Sequence, residues 1–137
     1  MALKLNAELK NGIINKIISD LAGTYGTAGT ACIRFYSGTQ PATADSSPSG
    51  TVLCTISPIS WSQCVAGTTG LTGQFVGTAN QAGTVGWARL ETIGAGGTFR
   101  IDGGAGSSST QVFVVNNPVF ATAGGAITLL TTWLSMA

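Results

Sequence analysis

"WARLETIGAGGTFRIDG", residues 87–103, decides the fold. Apolar and polar residues alternate on both sides of a glycine-rich centre, the period-two pattern of two strands joined by a turn. A turn centred on Ala95-Gly96 sets Glu91 opposite Arg100 and Arg89 opposite Asp102. The same register places Leu90 opposite Ile101 and Thr92 opposite Phe99 on the other face. A slip of one residue would break every one of these matches, because side chains change face at each step. Cross-strand pairs of this kind contribute about 0.2–1 kcal/mol each. Four ionisable residues are thereby assigned to sheet structure, which removes them from the catalytic candidates.

The alternation extends outward in both directions. In "TACIRFYSG" (30–38), Ala31, Ile33 and Phe35 fall on one side and Cys32, Arg34 and Tyr36 on the other. "TVLCTIS" (51–57), "ISWSQCVAG" (59–67), "GLTGQFVG" (70–77), "TQVFVVNN" (110–117) and "AITLLTTWL" (126–134) are further short runs, separated by Gly, Pro, Asn and Ser clusters. Many short strands at this spacing predict an all-β fold, a β-sandwich of jelly-roll or immunoglobulin-like type over residues 30–137. Only the N-terminal segment, residues 1–23, breaks the pattern. There Leu9, Ile13, Ile17 and Leu21 recur every four residues, with Ile14 and Ile18 widening the stripe. Asn6 is a good N-cap and Gly23 a good terminator, so one amphipathic α-helix precedes the sheet. With 137 residues, the chain is expected to form a single domain, 1–137.

Charge is scarce. Asp, Glu, Lys and Arg make up 8% of the chain, against about 25% in an average soluble domain. Lys4, Glu8, Lys10, Lys16 and Asp20 lie in the helical segment, leaving only Arg34, Asp45, Arg89, Glu91, Arg100 and Asp102 for the rest. A net charge of +1 and no run of Lys or Arg argue against direct nucleic-acid binding. A free monomer keeps its neighbours away with a mixed, charged surface. A coat of Ser, Thr, Gly and Asn loses far less on desolvation. The expected partners are therefore other subunits, including copies of the same chain. No stretch approaches a membrane span of about 20 apolar residues. Lys and Glu also interrupt every apolar run at the N-terminus, which predicts synthesis in the cytoplasm without a signal peptide.

Little chemistry is on offer. The chain has no histidine, which removes Ser-His-Asp and Cys-His arrangements. Cys32, Cys54 and Cys64 include no CxxC pair, and three thiolates with a carboxylate make a poor zinc set. They read as buried free thiols, with a Cys54–Cys64 bridge as the alternative. Asp20, Asp45, Glu91 and Asp102 are scattered, and Asp45 with Glu91 or Asp102 is the one pairing a glycosidase could use. "GAGGT" and "GGAGSSS" have no phosphate-loop pattern. Trp61, Trp87 and Trp133 could stack on sugars, but their apolar alternating runs favour packing. No catalytic residue, metal site or cofactor is expected.

"IRFYSGTQPATADSSPSGTVLCTI" (33–56), preceded by the helix and followed by "GTVGWARL" and "FRIDGG", resembles a family of small β-rich structural proteins of tailed bacteriophages. In that family a helix leads into a strand ending in an aromatic residue and a Gly-Thr-Gln-Pro turn. A Pro/Ala/Gly-rich loop, a short strand and a hairpin carrying Arg and Asp-Gly follow. The matching stretches are Arg34 to Pro41, Pro48 to Leu53, Trp87 to Leu90 and Arg100 to Gly103. Residues 57–83 and the C-terminal strand lie outside the likeness. The resemblance implies a non-enzymatic virion protein, foremost a capsid decoration or cement subunit contacting the major capsid protein. A tail, collar or baseplate component is the alternative, and a glycan- or receptor-binding β module a further one. The loop at 38–51, stiffened by Pro41 and Pro48, is the segment expected to lie against a neighbour.

Overall fold

The computed structural model describes residues 4–22, 31–57, 59, 68–70, 75–92 and 100–135. Among these residues one helix, α1 (Ala7–Ala22), precedes nine strands: β1 (Ala31–Ser37), β2 (Val52–Ile56), β3 (Thr68–Gly70), β4 (Phe75–Thr78), β5 (Gly83–Thr92), β6 (Arg100–Gly106), β7 (Phe113–Val115), β8 (Val119–Phe120) and β9 (Ala126–Ser135). The described fold is therefore mostly β-sheet with one N-terminal helix. The turn at Ala95-Gly96, Phe99, Gly23 and the run 60–67 lie outside the described residues.

The helix starts where the sequence indicates. Asn6 Oδ1 accepts the Leu9 N–H at 3.0 Å, and its backbone carbonyl accepts the Lys10 N–H at 3.1 Å. One amide that would otherwise lack a partner in the first turn is thus satisfied by the cap side chain. Lys16 and Asp20 pair one turn apart on the solvent side. Ile14 is buried in the core and Ile17 packs against it, so the helix docks on its own sheet. The stripe is shorter than its period suggests: Leu9 is half exposed, because contact with the core is made from Ile14 onward.

The hairpin register is as read from the sequence. Glu91 stands opposite Arg100, Leu90 opposite Ile101 and Arg89 opposite Asp102. β1 pairs antiparallel with β5 on its other edge, and β2 with β1. The hydrogen-bonded order runs β2-β1-β5-β6-β7-β9-β3, with β4 also on β9 and β8 on β5. Because β4 comes back against β2, the sheet is a nearly closed barrel. Its inside is filled by Ile33 and Phe35 of β1, Leu53 and Ile56 of β2, Leu90 of β5, Phe113 and Val115 of β7, and Ile127 and Leu129 of β9. Side chains of this size stabilise by about 1.5–3 kcal/mol each when buried.

β2 and β4 meet through side chains and not through a ladder among the described residues. A Cβ on Gly77 would overlap Cys54 Sγ and come within 2.9 Å of the Ile56 side chain. Only glycine allows that approach. Just beyond, the Asn80 N–H bonds the Leu53 carbonyl at 2.7 Å, and Gln81 Nε2 reaches the Val52 carbonyl at 3.2 Å. The Ala79 N–H bonds the Gly125 carbonyl at 2.7 Å, which ties the same corner to the start of β9. β6 and β7 are parallel although only residues 107–112 join them. That connection folds back over Gly103 and Gly104, whose missing side chains leave room for Val112 and Gln111.

Two glycines test this packing with opposite signs. Gly77→Ala should lower the unfolding free energy in urea by about 1–3 kcal/mol through overpacking at the β2–β4 contact. Gly12→Ala, on the exposed side of α1 with open space around it, should raise it by about 1 kcal/mol.

Candidate functional site

The sheet has a second buried face. On the side of β1 and β5 away from the barrel interior, the register sets Cys32 opposite Glu91, Arg34 opposite Arg89 and Tyr36 opposite Trp87. Two arginines facing each other across a ladder repel. Each is neutralised by a carboxylate from a different strand. Arg89 Nε and Nη2 donate to the two oxygens of Asp102 at 2.7 and 2.8 Å, a bidentate fork. Both side chains are almost fully withdrawn from water, 2% and 3% exposed. Arg34 pairs with Glu91 nearer the rim, where its own side chain is 37% exposed. Beside them Tyr36 stacks on Trp87 with ring centroids 4.4 Å apart, and the Arg89 guanidinium lies 5.5 Å from the Trp87 ring centre.

What covers this face is the quoted Ser/Thr/Pro segment itself. Residues 38–50 form a compact loop closed at its neck, an Ω-loop in form. The Ser37 N–H bonds the Thr51 carbonyl and the Thr51 N–H bonds Ser37 Oγ, both at 3.0 Å. Gly50, at φ 79°, makes the turn into that neck, where a Cβ would overlap the Ser37 carbonyl. Ser49 Oγ donates to the Thr39 carbonyl across the loop, and Thr43 and Ser46 share a further hydroxyl contact at 3.0 Å. Arg89 Nη2 then donates to the Ser46 carbonyl at 3.1 Å, and Arg100 Nη1 reaches the Ala44 carbonyl at 3.5 Å. The loop expected to lie against a neighbour thus has its inner side held by its own sheet. Thr39, Gln40, Thr43, Asp45, Ser47 and Pro48 remain exposed.

Between the loop and the sheet lies an open depression of about 500 Å³, lined by Arg34, Tyr36, Asp45, Ser47, Arg89, Glu91 and Arg100, with Pro48 and Val52 at its side. All six ionised side chains beyond Asp20 belong to this one neighbourhood: five line it, and Asp102 lies behind Arg89. Asp45 and Glu91, the carboxylates a glycosidase could use, share the depression, but Glu91 is held by Arg34. Asp102 is fully engaged with Arg89, and Asp20 sits away on α1. Compared with protein families, curated proteins and solved structures, the chain matches none.

The remaining sequence candidates fall outside the depression. Trp87 is fully buried, so neither of its faces is open for a sugar to stack on. Trp61 and the side chain of Trp133 lie outside the described residues, as does Cys64. Cys32 and Cys54 are buried free thiols. Among the described residues no group of His, Cys, Asp or Glu is arranged to hold a metal, and no helix is long and apolar enough to cross a membrane. Two features of the site escaped the sequence reading. Glu91 is paired with Arg34 across β1, beyond its hairpin partner Arg100, and the loop carbonyls of Ala44 and Ser46 are acceptors. Arg34 at alternate spacing from Tyr36, mirrored by Trp87 and Arg89, was the available signal for a β1–β5 pairing.

Electrostatics explains why the network persists under cover. The hydrogen bonds that Arg89 donates to Asp102 push its pKa above the ordinary value, overcoming the opposing effect of desolvation. Burial raises the Tyr36 hydroxyl and Cys32 thiol pKa values, with Arg34 pulling both back. Desolvation alone pushes the Cys54 thiol up to about 11.

Asp102→Ala should cost about 3–5 kcal/mol in urea unfolding, since it strands a buried guanidinium. Replacing both partners, Arg89→Met with Asp102→Leu, should recover most of that loss. Cys54 yields a pH prediction. Its thiol is protonated in both states below its ordinary pKa of 9.0, and only the unfolded chain ionises between there and about 11. Its contribution to stability is therefore complete below pH 9 and is lost as the pH rises to 11. Melting profiles of the wild type and Cys54→Ala should converge over that window.

Proposed function

We propose that the chain is a non-enzymatic virion structural protein of a tailed phage, a capsid decoration subunit that stabilises the head shell. One observation carries this reading. The scarce charges of the β region are drawn together into one network on one face. The rest of the barrel exterior is left to hydroxyl, amide, small and apolar groups. A surface of that composition is inexpensive to cover and poor at keeping neighbours apart. Val76, Val119 and Leu130 stand more than half exposed on it. Val76 pairs with Thr128, two residues from Leu130, which gives the outer side of β4 and β9 an apolar character suited to subunit contact.

The resemblance around Arg34 to Pro41 and Arg100 to Gly103 points the same way. Those stretches form the wall and rim of the loop-covered face. The two opposed halves of the barrel, β2-β1-β5-β6 and β7-β9-β4, support reading it as a flattened form of the expected jelly-roll or immunoglobulin-like sandwich. A decoration subunit acts by mass action. Binding only the assembled shell, it stabilises that state by about 2.7 kcal/mol at a hundred times its dissociation constant. Lattice neighbours add avidity.

Gel densitometry of purified particles should find the chain in hundreds of copies, and heads lacking it should melt at lower temperature. A copy number of a few to some dozens would move it to the neck or tail. Heads equally heat-resistant without it would overturn the shell-stabilising role.

A further inference from the structure

We propose that the depression beneath the 38–50 loop binds an acidic saccharide of one or two polyhydroxylated rings, with one carboxylate per ring. The inference stands on the site's own chemistry and does not depend on where the protein resides. A space of about 500 Å³ falls within the range of small-ligand sites and admits one or two sugar rings. Its walls are built in advance. Arg89 and Glu91 are almost fully buried, fixed by Asp102 and Arg34, and so lose little freedom on binding.

The lining alternates donors and acceptors. A guanidinium has five N–H donors in a planar fork, and one carboxylate occupies at most two of them. Arg34 pairs with Glu91 yet keeps 37% of its side chain exposed, so its outer edge can take a second carboxylate. Asp45 and Ser47 present acceptor oxygens from the exposed loop, matched to sugar hydroxyls. The Tyr36 hydroxyl stays protonated and adds a donor. The carboxylates of Asp45 and Glu91 also decide against a compact polyanion. Phosphate would meet them at close range, whereas a sugar acid places a carboxylate at Arg34 and turns hydroxyls toward them. Pro48 and Val52 offer too little apolar wall for a hydrophobic ligand.

Titration of the purified chain with digalacturonate, followed by amide chemical shifts, should give saturable binding with perturbations centred on residues 34–36, 45–48 and 89–91. Digalactose, identical but for the carboxylates, should bind at least about ten-fold more weakly, a difference of about 1.4 kcal/mol. Inorganic phosphate should not saturate. Ser47→Trp fills the depression from an exposed position without removing a member of an ion pair, and should abolish binding while leaving the melting temperature in place. Arg34→Lys keeps a cation for Glu91 but loses the fork, and should weaken digalacturonate selectively. No saturation with digalacturonate, equal affinity for digalactose, tighter binding of phosphate, or undiminished binding by Ser47→Trp would each overturn the proposal.

Discussion

The ion pair between Arg89 and Asp102 is the constraint on which the outer layer of this protein turns. It joins β5 to β6, permits Arg34 to stand opposite Arg89 on β1, and lends a remaining donor to the backbone of the covering loop. A charged pair so deeply withdrawn from water gains little in net stability, because desolvation offsets most of the attraction. Its value lies in selection. A one-residue slip of β1 against β5 would turn Arg34 toward the barrel interior and away from Glu91. The same fork then dictates where residues 38–50 settle, since Ser46 must bring its carbonyl to Arg89.

How much of this could be read in advance depends on how local the causes are. The β5–β6 register was legible because two charge pairs and an apolar pair agree on it within a single hairpin. The α1 start was legible because Asn6 sits three residues before the amide it caps. The Arg34–Glu91 pair was not, since it exists only once distant strands have met. The loop was harder still. Its Ser, Thr, Ala and Pro residues have no period, and they attach through backbone carbonyls that every residue possesses. Leu9 shows the converse failing: periodicity identifies a face of a helix but not how far along that face the partner surface extends. Within the candidate site, its charged members were all visible in the sequence as the only Asp, Glu, Lys and Arg residues beyond α1. Their convergence on one depression was not.

The gathering of charge also links the two functional readings. Concentrating six ionised groups on one face produces a polar recess with fixed walls, and the same act leaves the rest of the barrel exterior, apart from α1, without charged residues. Recognition of a small hydrophilic ligand and burial among neighbours thus use different sides of the molecule. Neither calls for a catalytic group.

The seam between β2 and β4 has a consequence of its own. Everywhere else along the described barrel, neighbouring strands share a ladder, whereas here Gly77 rests on Cys54 and a corner at Asn80 holds the rim. Among the described residues, loosening that line would break the Asn80 and Gln81 hydrogen bonds and no ladder. An opened β2 edge offers free amides and carbonyls to an incoming strand. A second polypeptide laid along such an edge would continue the sheet by strand addition.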